Sequence, residues 1–374
     1  MVICDESGRV VGRSHGRGTN HWALGMDECI RRLKDIVHAA KRQAGLPLDK
    51  PLHALGLTLS GCEQESSNAE LAARLRESDP HCANHLYVAS DTAGSLATAA
   101  PGGGLVLIAE ANSLALFYRS LHPGGCDCRQ FLRMCLVGMK RTGSNALLQN
   151  PDGQKFGCGG WGYLLGDEGG GESMHSTQID PSITYWIAFR AVKTVFDHID
   201  GLDTAPHDLT AVWATAKEHF GMDDRPDLLP HCYKHFDKST FAGLTIKLAE
   251  LARNGDALSQ DLFEAAGMKL GAHVAALAPR IHPELRPLRV VCVGSVWRSW
   301  ELLKPGMLQT LIERKIDIDL DFVRLRVSSA VGAAWLGAKH AGRVLPRDDA
   351  AHCEVLYEHR PSSTPAVNGH AEHC

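Results

Sequence analysis

The sequence lacks the features that mark several large classes of protein. Among its 374 residues no apolar run reaches membrane-spanning length, and the N-terminus has neither the basic n-region nor the apolar h-region of a signal peptide. Neither sign of charge is in large excess, because 39 lysines and arginines stand against 43 aspartates and glutamates, and no basic stripe marks a nucleic-acid surface. These absences predict a cytoplasmic protein that binds neither membranes nor nucleic acid.

The cysteines show no arrangement that would predict disulfides or a metal centre. There are 12 of them, without a disulfide-like framework or a C-x-x-C pair, which is typical of reduced thiols. Cys126, Cys128 and Cys135 supply at most half of a metal site, and His231 and His235 have helical i, i+4 spacing without a third ligand. We therefore predict no protein-bound metal.

Glycine, in contrast, is concentrated in one stretch, residues 145–170. Its first part predicts a β-hairpin around residues 150–153, Asn-Pro-Asp-Gly, because proline fixes φ and glycine tolerates positive φ. Residues 157–162, Gly-Cys-Gly-Gly-Trp-Gly, predict a loop whose backbone approaches a ligand, with Trp161 offering a flat face to a sugar ring. A tight structural turn around a core tryptophan is the alternative.

Hydrophobic periodicity predicts an α/β scaffold around this stretch. Besides the hairpin within 145–156, a second hairpin is predicted at residues 1–12. Helices are predicted over residues 27–44, 71–76, 186–199, 262–277, 300–303 and 330–341. Strands are predicted over residues 55–60, 86–89, 105–108 and 289–293. The strand over 86–89 delivers Asp91 to the start of a helix rich in small residues.

Short motifs in this order along the chain resemble those of the N-acetyl-D-glucosamine kinases. They are residues 19–22 (Thr-Asn-His-Trp), 87–95 around Asp91, 142–145 (Thr-Gly-Ser-Asn), 157–169 and 292–297 (Cys-Val-Gly-Ser-Val-Trp). The resemblance covers roughly residues 1–101, 142–169 and 185–346. It implies a two-lobed, actin-like (ribonuclease H-like) α/β sugar kinase fold with an ATP and sugar cleft between the lobes.

The activity that the resemblance implies is phosphorylation of the C6 hydroxyl of N-acetyl-D-glucosamine, in amino-sugar salvage, from ATP and Mg²⁺ by a homodimer. Asp91 is implied to be the catalytic base; its alternative role is the N-cap of the following helix. The implied sugar contacts are Asn20, Trp22, Asp91, Gly160, Trp161, Gly162 and Asp167. The implied ATP contacts are Thr142, Gly143, Ala242, Gly294, Ser295 and Ser299. Each of these also has an ordinary alternative as a turn, core or capping residue.

The same resemblance divides the chain into lobes and insertions. Residues 1–109 are expected to form the N-terminal lobe and residues 142–358 the C-terminal lobe. Residues 110–141 and 170–184 are insertions relative to the family. Residues 359–374 lack a core-forming pattern and are expected to be a disordered tail.

Two departures from the family pattern affect the expected activity. The family's first strand and its acidic-x-Gly-Gly-Gly-Thr phosphate turn have no counterpart before the hairpin at 1–12, which leaves the neighbouring strand with an unpaired edge. Arg141 replaces the first glycine of the second phosphate turn. We therefore expect severely reduced kinase activity, and a sugar-binding or dimerising pseudokinase is the alternative function. An actin-like ATPase that activates a partner through an interfacial iron–sulfur cluster is a third reading, which requires exposed cysteines.

Overall fold

The computed structural model describes residues 1–109, 145–159 and 183–361 of the chain. The strands are β1 (Val2–Cys4), β2 (Val10–Arg13), β3 (Leu52–Leu59), β4 (Ala83–Ser90), β5 (Gly104–Ile108), β6 (Asn145–Gln149), β7 (Lys155–Gly159), β8 (Leu288–Val293), β9 (Leu320–Leu325) and β10 (Cys353–His359). The helices are α1 (His21–Leu24), α2 (Met26–Gln43), α3 (Glu65–Ser78), α4 (Asp91–Ala99), α5 (Ile183–Ile199), α6 (Thr210–Phe220), α7 (Lys238–Arg253), α8 (Ala257–Leu277), α9 (Trp300–Glu313), α10 (Ala330–His340) and α11 (Asp349–His352). The predicted α/β class is confirmed.

The larger lobe is built on a six-stranded sheet in the order β10-β9-β8-β5-β6-β7. Its three central strands, β9, β8 and β5, are parallel, and the outer strands are antiparallel to their neighbours. Every residue of β5 is buried, as is typical of a parallel strand covered on both faces. The predicted hairpin is confirmed as β6 and β7, and Gly153 in its turn has a φ of 86°.

The smaller lobe contains two separate pairs of strands. β1 pairs with β2 in an antiparallel hairpin, and β3 pairs with β4 in parallel. Leu55 and Leu57 of β3 pack with α2 and α3 in a core of their own, which includes Leu33, Leu71 and Leu75. Within the described residues no other strand pairs with β1 or β3.

The structure corrects the expected lobe boundary in two places. β5 was expected in the N-terminal lobe, but it pairs with β6 and β8 in the larger sheet. Conversely α10, which follows in the C-terminal half of the sequence, packs on β3 and β4 of the smaller lobe and on α4. Strand pairing and helix packing join distant parts of the chain, which a division of the sequence into consecutive segments cannot represent.

The predicted boundaries of three shorter segments are also wrong. The tail was expected from residue 359, but His359 pairs with Leu320 and is buried. The second insertion was expected to run to residue 184, but Ile183 and Thr184 are buried in the first turn of α5. Residues 157–159, expected in the glycine loop, belong to strand β7. In each case backbone pairing or burial continues past the point where the sequence pattern weakens.

Lys41 is a fully buried side chain at the C-terminal end of α2. Its ammonium group donates to the carbonyl oxygens of Leu48, Lys50 and His81, at 3.3, 3.0 and 2.7 Å. These bonds tie the turn after α2 to the turn before β4. A buried ammonium group with three carbonyl acceptors is satisfied by hydrogen bonding without a carboxylate partner.

We expect Lys41→Met to destabilise the protein by about 2 kcal/mol, because the carbonyls would keep their burial and lose their donor. Chemical denaturation would measure the change. Lys34→Met is the matched control, since the Lys34 ammonium group donates to Ser78 from an exposed position and its loss should change stability by less than about 0.5 kcal/mol. Equal effects of the two substitutions would contradict this account of Lys41.

In the part of the chain that the structure describes, every helix is too short or too polar to cross a lipid bilayer.

Candidate active site

One cavity of about 1170 Å³ lies where the carboxyl ends of parallel strands from both lobes meet. Its lining includes Ser60 after β3, Asp91 after β4, Ile108 at the end of β5 and Val293 at the end of β8. Crevices outside the carboxyl ends of the strands are the usual ligand sites of open α/β sheets. The cavity is therefore the candidate active site.

Asp91 is placed at the edge of this cavity by the junction of β4 and α4. It is the first residue of α4, and Ser90 occupies the N-cap position without a capping hydrogen bond from its side chain. The Ser95 hydroxyl donates to the Asp91 carbonyl at 3.1 Å, and the Ser90 and Thr92 hydroxyls share a hydrogen bond of 2.6 Å. The strand end and the helix start thus fix the backbone of Asp91, and its half-buried side chain reaches the cavity.

Asn20 lines the same cavity from a loop held by α2. The Arg32 guanidinium donates to the Gly18 carbonyl at 2.7 Å, and the Cys29 thiol donates to the Thr19 carbonyl at 3.0 Å. The Asn20 side-chain oxygen accepts from the backbone N–H of Trp22 at 2.9 Å and so caps α1. Because that oxygen is engaged, the amide NH₂ of Asn20 is the group left to donate to a ligand.

Trp22 lies beside Asn20 but does not line the cavity, and 64% of its surface is exposed. Its indole N–H donates to the Gly61 carbonyl at 2.9 Å. Gly61 has a φ of 93°, and a Cβ there would lie 2.8 Å from Trp22 Cδ1 and 2.9 Å from Asn20 Oδ1. The turn after β3 therefore requires glycine, and it sets the position of both predicted sugar contacts.

The thiols near Asp91 are not candidate nucleophiles. Burial raises the pKa of Cys62 to about 12, with smaller contributions from Cys29, Glu63 and Asp91, and burial raises the pKa of Cys29 to about 11. Both thiols stay protonated at neutral pH, and a protonated thiol is a poor nucleophile. The carboxylate of Asp91, unlike these thiols, lines the cavity and suits proton transfer.

The wall from the larger lobe begins at the N-terminus of α7. Asp237 and Ser239 line the cavity there. Asp237 is the N-cap and accepts from the backbone N–H groups of Ser239 and Thr240, at 3.3 and 3.0 Å. Val293 at the end of β8 lines the cavity next to Gly294, whose φ of 119° is one that L side chains rarely adopt.

The predicted ATP contacts in the described part of the chain are not among the residues that line the cavity. Gly294 and Ser295 form the turn that follows β8. Ala242 is buried in the core of the larger lobe, and the Ser299 hydroxyl accepts from Arg253 at 3.0 Å. The structure brings Asn20 and Asp91 to one cavity, but Ala242 and Ser299 are engaged in packing and hydrogen bonding outside its lining.

The other predicted contacts lie outside the described residues. They are Thr142, Gly143, Gly160, Trp161, Gly162 and Asp167. They remain predictions from the resemblance.

Asp237 and Ser239 are cavity residues that the sequence reasoning missed. The available signal was an N-cap pattern, because Asp237 is followed by Ser239 and Thr240 at the start of an apolar helix. That pattern predicts a helix start but not which way the helix points. Their place in the cavity depends on the packing of α7 in the larger lobe.

The described residues include no group of three or more His, Cys, Asp or Glu side chains placed to hold a metal ion. His231, one of the paired histidines, contacts the ring of Phe220 with 5.3 Å between ring centroids. Of the cysteines in the described ranges, Cys232 alone is exposed. The described part of the chain therefore offers no set of exposed thiols of the kind that an interfacial iron–sulfur cluster requires.

The described chain has the two-lobed, actin-like fold of the sugar kinases. A structure described as a candidate N-acetylglucosamine kinase from Chromobacterium violaceum matches 86% of this chain and 88% of its own, with 23% identity and a TM-score of 0.56. A second candidate N-acetylglucosamine kinase, from Porphyromonas gingivalis, matches 89% and 92%, with 17% identity and a TM-score of 0.53.

A glucokinase of the ROK family from Streptomyces griseus, in complex with glucose and AMPPNP, matches 90% of this chain and 95% of its own, with 12% identity and a TM-score of 0.51. No family model matches the sequence. At these identities the likeness concerns the fold, and it confirms the fold that the sequence motifs implied.

Proposed function

We propose that this protein transfers the γ-phosphoryl group of ATP to the C6 hydroxyl of N-acetyl-D-glucosamine. The observation that carries the proposal is that Asn20 and Asp91 line one cavity with Asp237 and Ser239 of the other lobe. A hydrogen-bond donor and a carboxylate thus face the N-terminus of a helix across the space in which two substrates would meet. The N-acetylglucosamine kinase names of two proteins with this fold support the choice of sugar.

In this proposal Asp91 accepts the proton of the sugar hydroxyl as the oxygen attacks phosphorus. A positioned base of this kind typically contributes about 10²–10⁴-fold to the rate. The Asn20 amide donates to a sugar oxygen, since its own oxygen is already bonded to the backbone of Trp22. Phosphoryl transfer requires little covalent chemistry from the protein. The main role of these residues is therefore to hold the hydroxyl in line with phosphorus.

In the larger lobe the Ser239 hydroxyl lines the cavity at the start of α7 and could donate to a phosphate oxygen. The backbone N–H groups of Ser239 and Thr240 are taken up by the Asp237 carboxylate. ATP would supply the phosphoryl group and Mg²⁺ would offset the charge of its phosphates. Magnesium is usually held by one or two carboxylates together with substrate phosphates, and in this proposal the Asp91 carboxylate, one of those that line the cavity, would hold it. Asp237 is committed to capping α7.

The test is sugar-dependent release of ADP, together with calorimetric binding of N-acetylglucosamine and of glucose. We expect slow ADP release with N-acetylglucosamine, because the departures from the two phosphate turns should reduce the rate. We also expect at least about tenfold tighter binding of N-acetylglucosamine than of glucose, because a group that hydrogen-bonds the N-acetyl substituent is left unpaired by glucose. Equal affinities would contradict the choice of sugar. No ADP release above the rate without sugar would contradict the kinase proposal itself.

Sugar binding without phosphoryl transfer is the second candidate function. The observation that favours it concerns two implied ATP contacts. Ala242 is packed in the core and Ser299 is hydrogen-bonded to Arg253, and neither residue lines the cavity. This function predicts normal sugar affinity with no ADP release in the same two measurements. For either function we propose a homodimer in the cytoplasm, which sedimentation and cell fractionation would test.

A further inference from the structure

A second cavity lies on the larger lobe, between helices α5 and α8. Its volume is about 230 Å³, and none of its residues lines the cavity that holds Asp91. The two helices provide most of its lining, and residues 203–206 of the loop after α5 complete it. The buried side chains of Leu258 and Leu262 give it an apolar surface. A concave space with apolar side chains and a few polar groups is typical of a site for a small molecule.

Arg190 of α5 supplies a positive charge to this second cavity. Its guanidinium group lies over the Trp186 ring, 6.0 Å from the ring centroid, and it forms no hydrogen bond or ion pair with any described residue. Such stacking holds a guanidinium group in place without using its N–H donors. The hydroxyl of Thr194, one helical turn further along α5, also lacks a hydrogen-bond partner within the described ranges. Arg190 and Thr194 can therefore donate to a carboxylate.

Asp203 supplies a negative charge to the same cavity. Its carboxylate accepts from the backbone N–H of Thr204 at 2.8 Å, and it forms no ion pair with any described residue. The backbone N–H of Asp203 donates to the Asp197 carbonyl at 3.3 Å, which places Asp203 beside the last turns of α5. Arg190 precedes Asp197 by about 10 Å along the helix, so the two charges are separated along the cavity.

The other charged side chains of the lining already have partners. The Lys193 ammonium group donates to the Asp197 carboxylate at 2.6 Å, and Asp261 shares a hydrogen bond of 2.5 Å with His207. One cation and one anion of the lining are thus left without a counter-charge. A ligand with a single charge would be attracted by one of them and repelled by the other, whereas a zwitterion complements both.

We propose that this second cavity binds an α-amino acid with an apolar side chain. The ligand carboxylate accepts from Arg190 and Thr194, and its ammonium group donates to Asp203. The apolar side chain packs on Leu258 and Leu262. The proposal is independent of the kinase function, because none of these residues lines the candidate active site.

The probe is L-leucine, titrated into the full chain by calorimetry, with the NMR signal of the Trp186 indole N–H as a second readout. The matched controls are 4-methylpentanoate, which lacks the ammonium group, and 3-methylbutylamine, which lacks the carboxylate. We expect saturable binding of leucine with a shift of the Trp186 signal. Leucine should bind at least about tenfold more tightly than either control, because each control leaves one charged side chain without a partner.

Protein variants test the two charges separately. Arg190→Gln should weaken binding of leucine at least about tenfold. Lys217→Gln is the matched control, because the Lys217 ammonium group also lies over a tryptophan ring, 5.6 Å from the centroid of Trp213, but lines neither cavity. Asp203→Asn should weaken binding of leucine and leave 4-methylpentanoate bound at least as tightly as before, which a poorly folded variant would not do.

The comparison of leucine with its two controls uses the unaltered chain, so the folding of a variant does not decide the result. Binding of 4-methylpentanoate or of 3-methylbutylamine as tight as that of leucine would overturn the proposal, as would the absence of saturable leucine binding. Leucine binding that N-acetylglucosamine displaces, with no shift of the Trp186 signal, would place the ligand in the other cavity and would also overturn it.

Discussion

Asp91→Asn should lower the rate of ADP release by about 10²–10⁴-fold while leaving the affinity for N-acetylglucosamine within about tenfold. Asparagine keeps the shape of the side chain and its place at the first position of α4, but it cannot take up the proton. The proton moves only as the hydroxyl attacks, so its loss raises the barrier in the transition state and leaves ground-state binding largely intact. Steady-state kinetics and calorimetry on the same preparation would separate the two effects.

Asp35→Asn is the matched control for this substitution. Asp35 is an exposed aspartate on α2 whose partner is Arg31, at 2.9 Å. Exposed ion pairs contribute about 0–1 kcal/mol, so this control should leave both turnover and sugar affinity unchanged. If Asp91→Asn kept near-normal turnover, Asp91 would be a structural residue at the start of α4, and the proton would have to pass to another group.

The local parts of this fold could be predicted from the sequence. The helix predicted over residues 27–44 is α2, over 26–43, because its apolar residues recur at helical spacing and its neighbours are polar. The hairpin β6–β7 was predicted because Pro151 and Gly153 allow few other conformations. Such signals depend on residues close in sequence, so no tertiary contact is needed to interpret them.

The parts that the sequence did not predict depend on long-range contacts. The pattern of β5 identifies a buried strand, but the same pattern fits either sheet, and its pairing with β8 decides the lobe. A buried lysine is uncommon, and the ammonium group of Lys41 meets two carbonyls of the turn after α2 and the distant carbonyl of His81. Neither arrangement leaves a periodic pattern in the chain.

The candidate site shows the same division. The motif around Asp91 gave the junction of β4 and α4, because an apolar strand followed by an acid and small residues predicts that local structure. Asp237 and Ser239 were not predicted as site residues, because their motif predicts only that a helix starts there. Their position in the cavity lining depends on the direction of that helix in the fold. The resemblance to known kinases could identify the residues of a motif. Which of these residues line the cavity depends on tertiary packing.

The packing that holds α4, and with it Asp91, depends on a close helix crossing. α10 approaches α4 at Gly332, where a Cβ would lie 2.0 Å from the Gly94 carbonyl oxygen and 2.7 Å from the Thr98 backbone nitrogen. The Thr98 hydroxyl donates to the Gly94 carbonyl at 2.7 Å and accepts from the Gly332 N–H at 3.0 Å. The neighbouring atoms are mainly backbone, so a side chain at residue 332 cannot be accommodated by a rotamer change.

Gly332→Ala should therefore destabilise the protein by about 3 kcal/mol, at the upper end of the range for overpacked sites. Alanine is favoured over glycine in a helix by about 1 kcal/mol, so the steric cost must exceed this gain for the net effect to be a loss. Gly243→Ala in α7 is the matched control, because a Cβ there would meet only the His219 ring, at 3.3 Å. The control should change stability by less than about 1 kcal/mol, because only a side-chain ring has to shift by a few tenths of an ångström. Denaturant unfolding of both variants measures the difference, and equal midpoints would show that α10 and α4 can separate without cost.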